Sequence, residues 1–393
     1  MAINITRRLF LNTLIDNSIL FKNFYSTSSY TAPATASLFT SLYQKDHGVK
    51  IGFIHSKRDN KSKFKLNRIP EDVLTMTELF KDAQYDTFGV ADNLNISKEM
   101  GFAQGFDKLI TSRYKGATAV NKKILSLKER MEMSKKYFLY IHYMDPHGPY
   151  HFQEKFARNA LKNERRDIIN YDSEISYVDD AIKKLYKEFG WDKDTLIIFT
   201  ADHGEAFSER LNDFGNPEKG HGKTLNREVL RVPLFFYMRG LKGKEINFNA
   251  SHLDVLPTLA KLLKSDKRNY WEGDDLSEAF ITDKKFKEKF LFSDLASRER
   301  TGKPEIHSII YKNFHYIKTF ATPKTKEKEE FFDWKTDPIE LKSNLNVNKD
   351  LLKTMRTKME EHLKSKSIFK TETTNVKLDK KTKEHLTTLG YIN

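Results

Sequence analysis

Short apolar runs alternate with helix-period segments along most of this chain, and that alternation constrains its fold more than any other feature. Val49–His55 (VKIGFIH), Tyr85–Asp92 (YDTFGVAD), Tyr137–Met144 (YFLYIHYM), Leu196–Thr200 (LIIFT) and Arg231–Met238 (RVPLFFYM) read as strands. Glu71–Ala83 reads as a helix, and Asp172–Gly190 reads as an amphipathic helix closed by Gly190. Strand followed by helix, repeatedly, implies crossover connections and a mostly parallel sheet with helices on both faces. Ligands in such sheets bind beyond the carboxyl ends of the strands. Asp202-His203 and Asp145-Pro146-His147 both fall at such ends.

After about Asp283 the texture changes. KKFKEKFLFSDL, IHSIIYKNFHYIKTF and EEFFDW read as antiparallel strands, TPKTKEKEE (Thr322–Glu330) as an exposed hairpin tip, and Leu351–Lys366 as a helix. The expected organisation is an α/β portion over 1–282, a mostly parallel sheet sandwiched by helices, and a smaller antiparallel-sheet α+β portion over 283–393. The first segment, MAINITRRLFLNTLIDNSILFKNF, starts like an export signal, but Asp16 interrupts its apolar stretch and no small-residue cleavage site follows. It reads instead as an amphipathic helix with Leu9, Leu14 and Ile15 toward the core. The expected compartment is cytoplasmic.

The 393 residues are 38% hydrophobic and 31% charged, which fits a globular chain, and no apolar run is long enough to cross a bilayer. There is no cysteine, so disulfides, thiolate metal sites and a cysteine nucleophile are excluded. The net charge of +14 would suit nucleic acid. The basic residues are spread as lysine-rich faces, however, without zinc-finger spacing, an aromatic RNA-binding signature or an arginine-rich arm. A positive field of this kind favours an anionic substrate.

Four segments could carry chemistry. Asp202 and His203 are a carboxylate and an imidazole side by side at a strand end, a pair that suits a divalent cation such as Zn, Mn, Mg or Ca. Alternatively, Asp202 caps a helix beginning near Glu205. His221 stands between two glycines that let the backbone approach a ligand, with Lys223 nearby; it could equally be an ordinary loop histidine. His147 lies in DPHGPY, where Pro146 and Pro149 stiffen the loop, or is simply solvated in a turn. In YTAPATASLFTSLY, Pro33 suits a first helical turn and Thr31 lies just before the helix start. A hydroxyl there could act as a nucleophile or only order the start of the helix.

Taken in order, these segments resemble the sulfatase family of the alkaline phosphatase superfamily. YTAPATASLFTSLYQKDHGV resembles the nucleophile segment, YIHYMDPHGPY a substrate-contacting loop, and LIIFTADHGEAF a metal-binding strand. GHGKTLNREVLRVPLFF, SHLDVLPTLAKLL, FFDWKTDPIELKSNL and the terminal HLTTLGYIN follow in the family's order. The resemblance implies Asp202 and His203 as metal ligands, His221 and His147 as substrate contacts or proton donors, Lys223 as a substrate-binding cation, and Thr31 at the nucleophile position. The implied function is metal-dependent hydrolysis or transfer of sulfate or phosphate esters. A catalytically impaired binding protein of the same fold is the alternative, and a nucleic-acid-binding protein, resting on charge alone, the third reading.

Two departures from the family pattern shape the expectation. Thr31-Ala32-Pro33-Ala34-Thr35 has neither the Cys or Ser nor the Arg of the formylglycine pattern, so no formylglycine is expected and weight shifts toward phosphate esters. The family's opening strand, which ends in acidic metal ligands, has no counterpart before Thr31. The chain is therefore expected to begin after that strand, and protein made from Met1 to be poor in metal and inactive.

Overall fold

The stretch SILFKNFY, inside the segment read as an amphipathic helix, forms an interior strand. In the computed structural model, which describes residues 9–53, 57–58, 63–157, 164–211, 215–282, 286–297 and 302–377, the helix covers only Phe10–Ile15. Its first amides, Phe10 N and Leu11 N, donate to the Asp179 carboxylate at 2.7 and 2.8 Å. An acid at the positive end of a helix satisfies donors the helix cannot satisfy itself. The helix stops at Asp16-Asn17, and the residues that follow, Ile19, Phe21, Phe24 and Tyr25, are buried on both faces of a strand.

In chain order the strands are β1 (Ser18–Tyr25), β2 (Lys57–Arg58), β3 (Lys63–Arg68), β4 (Asp86–Ala91), β5 (Lys108–Thr111) and β6 (Tyr137–His142). Then come β7 (Ile197–Thr200), β8 (Ala206–Leu211), β9 (Pro217–Gly220), β10 (Leu234–Tyr237) and β11 (Lys244–Ser251). The C-terminal part holds β12 (Leu291–Leu295), β13 (Ile306–Tyr311), β14 (Phe314–Thr319), β15 (Lys328–Asp333) and β16 (Glu372–Lys377).

The expected α/β class holds, but the strands divide between two sheets. One has the order β11-β1-β10-β7, with β1 and β11 parallel and β10 antiparallel to both neighbours. The other, β5-β4-β6, is wholly parallel. The C-terminal strands form the expected antiparallel sheet, β12-β13-β14-β15, and β16-β3-β2 and β8-β9 are small accessory sheets.

The expected strand at Val49–His55 does not form. Val49 to Phe53 is irregular, with Val49 and Phe53 buried and Lys50 exposed, and Ile54 and His55 lie outside the described residues. Gly52 is pressed against Asn95, whose Oδ1 would lie 2.1 Å from an added Cβ and which accepts from Phe53 N at 3.0 Å. A side chain thus takes a backbone bond that a neighbouring strand would otherwise supply. The Glu71–Ala83 helix is confined to Met76–Asp82, where Thr75 and Glu78 form a capping box. The long helix Arg166–Phe189 ends as expected, at Gly190 in the left-handed conformation.

One apolar cluster joins β1, β10 and the helices Thr31–Thr40 and Val255–Leu262 to Leu291, Leu295, Ile306 and Ile310 of the C-terminal sheet. Each such side chain contributes about 1.5–3 kcal/mol when fully buried. The two parts also meet through hydrogen bonds: Asp294 N donates to Thr27 O and Ser293 Oγ to Ser26 O, both at 2.9 Å. The C-terminal sheet thereby braces the loop that leads into Thr31.

Candidate active site

β7 delivers Ala201, Asp202 and His203 to the end of its sheet, and the loop is fixed on several sides. Gly204 lies so close to the turn at Asn226–Leu230 that a Cβ would come within 2.1 Å of Glu228 O, and Gly204 N donates to Val229 O. His252 Nε2 donates to Ala201 O at 3.0 Å, and Ser26 Oγ lies 2.6 Å from Asp202 O. Residues after Glu205 enter β8, so Asp202 caps no helix there.

Thr31 is the first residue of the helix Thr31–Thr40 and is buried, with Pro33 in the first turn as expected. Its Oγ1 lies 3.3 Å from His203 Nε2. His203 Nδ1 is 2.9 Å from Gly204 O. A carbonyl can only accept, so Nδ1 carries the proton of the neutral ring and Nε2 turns a lone pair toward the Thr31 hydroxyl. The Asp202 carboxylate is a second acceptor for the same hydroxyl. Burial alone would raise the Asp202 carboxyl, but His203, His142 and Thr31 together hold it well below the usual carboxylate range. Burial lowers His203, against the pull of Asp202, so the ring favours its neutral form.

Two further imidazoles line up behind His203. The His221 ring is centred 4.2 Å from that of His203, and the His147 ring 4.9 Å from that of His221. Gly220 and Gly222 flank His221 at φ of 83° and 64°, a region that only glycine occupies freely. His221 Nδ1 bonds Glu205 Oε2 at 3.0 Å, and His147 Nδ1 bonds Gly148 O at 2.7 Å. All three rings therefore commit Nδ1 to a backbone or carboxylate oxygen and keep Nε2 free for other work. Burial and then repulsion from His221 push His147 down to about 4.

The structure thus gathers Thr31, Asp202, His203, His221 and His147. Lys223 stands apart: it is half exposed, its Nζ donates to Lys219 O at 2.5 Å and lies 3.7 Å from Glu218. Sequence reasoning missed Glu205, which orients His221, and His252, which holds the Asp202 loop. Glu205 had a signal in its place two residues after His203. It also missed Asp92, buried at the end of β4, whose carboxylate accepts from Lys115 N and Gly116 N at 2.6 and 2.9 Å.

Asp202 Oδ2 lies 3.5 Å from His203 Nε2, so a carboxylate, an imidazole and a hydroxyl converge. Those donors are chemically suited to a divalent cation, but among the described residues no three His, Cys, Asp or Glu side chains group to hold one. Zinc takes four ligands and the harder cations about six to eight oxygens. The described residues supply part of a coordination shell only.

The sulfatase family model matches residues 2–265. The chain belongs to the sulfatase family. Members of this family generally use a divalent metal ion and act on anionic esters. The chain is 31% identical to the low-salt glycan biosynthesis sulfotransferase Agl7 of Haloferax volcanii over 134 residues, 30% of this chain and 31% of that protein. It is 24% identical to lipoteichoic acid synthase 2 of Bacillus subtilis over 292 residues, 68% of this chain and 43% of that protein. The chain spans less than half the length of these curated relatives. Among solved structures, Ps i-CgsB superposes with a TM-score of 0.69 at 19% identity, covering 90% of this chain and 86% of that one. BT1596, a 2-O GAG sulfatase, gives 0.69 at 16% identity, covering 91% and 87%. At such identities these two show that the sulfatase fold is shared. Among the described residues no helix is long and apolar enough to cross a membrane. The terminal HLTTLGYIN lies outside the described residues.

Proposed function

We propose that this sulfatase-family chain transfers a phosphoryl group, or less readily a sulfuryl group, from an anionic ester, with Thr31 as the nucleophile. The observation that carries the reading is the 3.3 Å approach of Thr31 Oγ1 to a His203 nitrogen whose partner nitrogen is already committed to Gly204 O. Thr31 Oγ1 attacks the phosphorus, its proton passes to His203 Nε2, and the bond to the leaving alcohol breaks. His221 sits beside His203, where a protonated ring could contact the transferred group's oxygens or protonate the leaving oxygen; His147, with its ring proton committed to Gly148 O, packs against His221 and offers only a lone pair at Nε2. Lys223 adds a diffuse positive charge from the rim rather than a direct contact.

Asp202 and His203 are the candidates to contribute to a cation's shell. The lone pair on His203 Nε2 is the one a cation would take; without a cation it is free to accept the Thr31 proton. Transfer to a second alcohol, rather than to water, is supported by the two relatives, whose names describe a sulfotransferase and a synthase. A non-catalytic reading draws on the incomplete donor set and requires anion binding without turnover.

The test is a panel of aryl phosphate, aryl phosphodiester and aryl sulfate, with and without manganese. Release of the aryl alcohol from a phosphorus ester, faster than from the sulfate, is expected. Turnover of the sulfate alone would overturn the preference for phosphorus. No turnover of any ester would favour the binding reading.

A further inference from the structure

A cleft of about 300 Å³ opens between the sheet edge at β11 and the C-terminal sheet. β11 and β7 are the outer strands of their sheet among the described residues, and Asp202 follows β7. Three strand spacings, about 14 Å, separate those two edges. A change of register shapes the cleft. β1 and β11 pair Phe21 with Ile246 but Asn23 with Asn249, so β11 carries an extra residue between them. Such a bulge re-aims side chains. Asn23 Nδ2 donates to Asn247 O at 2.7 Å, and Asn249 Nδ2 donates to Lys312 O, in the β13–β14 turn, at 2.8 Å. Asn313, next in that turn, donates through Nδ2 to Asp333 Oδ1. Each amide thus spends a donor on the protein. Among the described residues none of the three Oδ1 atoms accepts a hydrogen bond in return. Three carbonyl oxygens therefore face the cleft as acceptors for hydroxyl donors.

The other wall is cationic. Arg227 lies 4.4 Å from the Trp334 ring centre, Trp334 stacks on Tyr25, and Arg227 Nη1 donates to Pro338 O at 2.9 Å. The guanidinium is held in place by these contacts. Tyr25 Oη lies against it, yet neither that oxygen nor Arg227 Nε, both buried, makes a well-formed hydrogen bond. Burial pushes the Tyr25 hydroxyl up to about 12, so it offers no negative partner. Arg231 stands close by, and burial and then repulsion from Arg227 lower it. Lys312 and Lys335 add two positive charges at the rim. Among the described residues none of these four cations has a salt-bridge partner. Glu288, the one acid lining the cleft, is itself raised by burial, against the pull of Lys312. Like charges gathered without a counter-charge repel one another, and a bound anion relieves that repulsion.

We propose that this cleft is a second anion site, which takes the phosphate or sulfate group of a hydroxylated carrier such as a sugar. The charged group meets Arg227, Lys312 and Lys335, and the carrier's hydroxyls donate to Asn23, Asn249 and Asn313. A tetrahedral oxyanion matches the planar guanidinium fork. The volume is at the lower end for ligand pockets, which limits the carrier to about one sugar unit. Nothing in the cleft depends on Thr31 acting as a nucleophile.

Calorimetric titration of the full chain tests it, with glucose 6-phosphate, glucose 6-sulfate, inorganic phosphate and glucose as probes. At least one sugar ester is expected to bind, more tightly than inorganic phosphate, and glucose is expected not to bind. The tighter ester names the charged group. Lys312→Glu, at the exposed hairpin turn, should weaken that binding about tenfold, and Arg227→Gln at least as much. Thr31→Ala should leave it unchanged. Should Arg227→Gln fail to fold, Lys312→Glu alone decides. Binding of neither ester would overturn the proposal. So would binding that Lys312→Glu leaves intact, and its loss in Thr31→Ala would place the anion at the Thr31 site instead. Glucose bound as tightly as its esters would remove the anion from the account, and inorganic phosphate bound as tightly would remove the carrier. Either result overturns the proposal.

Discussion

His307 and His203 are both buried beside a carboxylate, yet their surroundings hold them in opposite states. His307, on β13, bonds Asp294 Oδ1 through Nδ1 at 2.6 Å and Glu305 Oε1 through Nε2 at 3.0 Å. Burial opposes its charge, but the two carboxylates override burial and push it up to about 9. Asp294 uses its other oxygen on His362 Nε2 at 3.2 Å. Both ring nitrogens of His307 are spent, so the group is an ion-paired clip inside the C-terminal sheet. His203 spends one nitrogen on a neutral carbonyl and offers the other to a hydroxyl, and burial lowers it. The same ring becomes structural when carboxylates take both nitrogens and available for chemistry when one lone pair remains.

That contrast is most sharply broken or sustained at Thr31. Thr31→Ala should lower turnover roughly a thousandfold or more while leaving the thermal midpoint almost unchanged, because the proposed nucleophile is removed and little core is lost. Matched losses of turnover and midpoint would make Thr31 a structural residue like those around His307.

Next in size is Asp294→Asn. It leaves His307 and His362 without their shared carboxylate and should cost about 3–5 kcal/mol in denaturant unfolding. The protein that remains folded should keep its turnover. A change below about 1 kcal/mol would show that the clip contributes little.

The pH dependence separates the two groups further. His307 has a folded pKa raised above its ordinary 6.5, so its stabilisation is complete below 6.5 and is lost as pH rises through about 9. The loss is on the order of 2–3 kcal/mol over that window. Stability curves of the native chain should therefore fall across it, and those of His307→Gln should be flatter. Parallel curves would remove His307 from the account. The smallest expected effect is that of Lys223→Ala. As a half-exposed cation at the rim, it should change KM by a few-fold, roughly the worth of an exposed ion pair, and leave kcat in place. A large fall in kcat would place Lys223 among the reacting groups.

Much of the site was legible because its signals are local. An apolar run ended by an acid and a histidine marks the end of β7, and glycines on both sides of His221 announce a backbone that only glycine permits. The features that escaped depend on distant partners. Glu205 and His252 acquire their roles from His221 and Ala201, which no pattern near them reveals. β1 was hidden because Leu9, Leu14 and Ile15 set a helical spacing that ran on past Asp16, while the strands that pair both its edges, β10 and β11, lie about two hundred residues away or more. Val49–Phe53 has strand-like composition, but Asn95 takes one of its backbone bonds. The division into two sheets was equally illegible, since β6 and β7 look like interior strands by sequence and lie at the ends of their sheets among the described residues.

The central claim is that Thr31 carries the transferred group. The most direct measurement is peptide mass spectrometry of the chain quenched during reaction with an activated aryl phosphate. A phosphoryl adduct on the peptide containing Thr31, absent from Thr31→Ala, is the predicted result. Release of the aryl alcohol with no adduct, and at the same rate in Thr31→Ala, would contradict it.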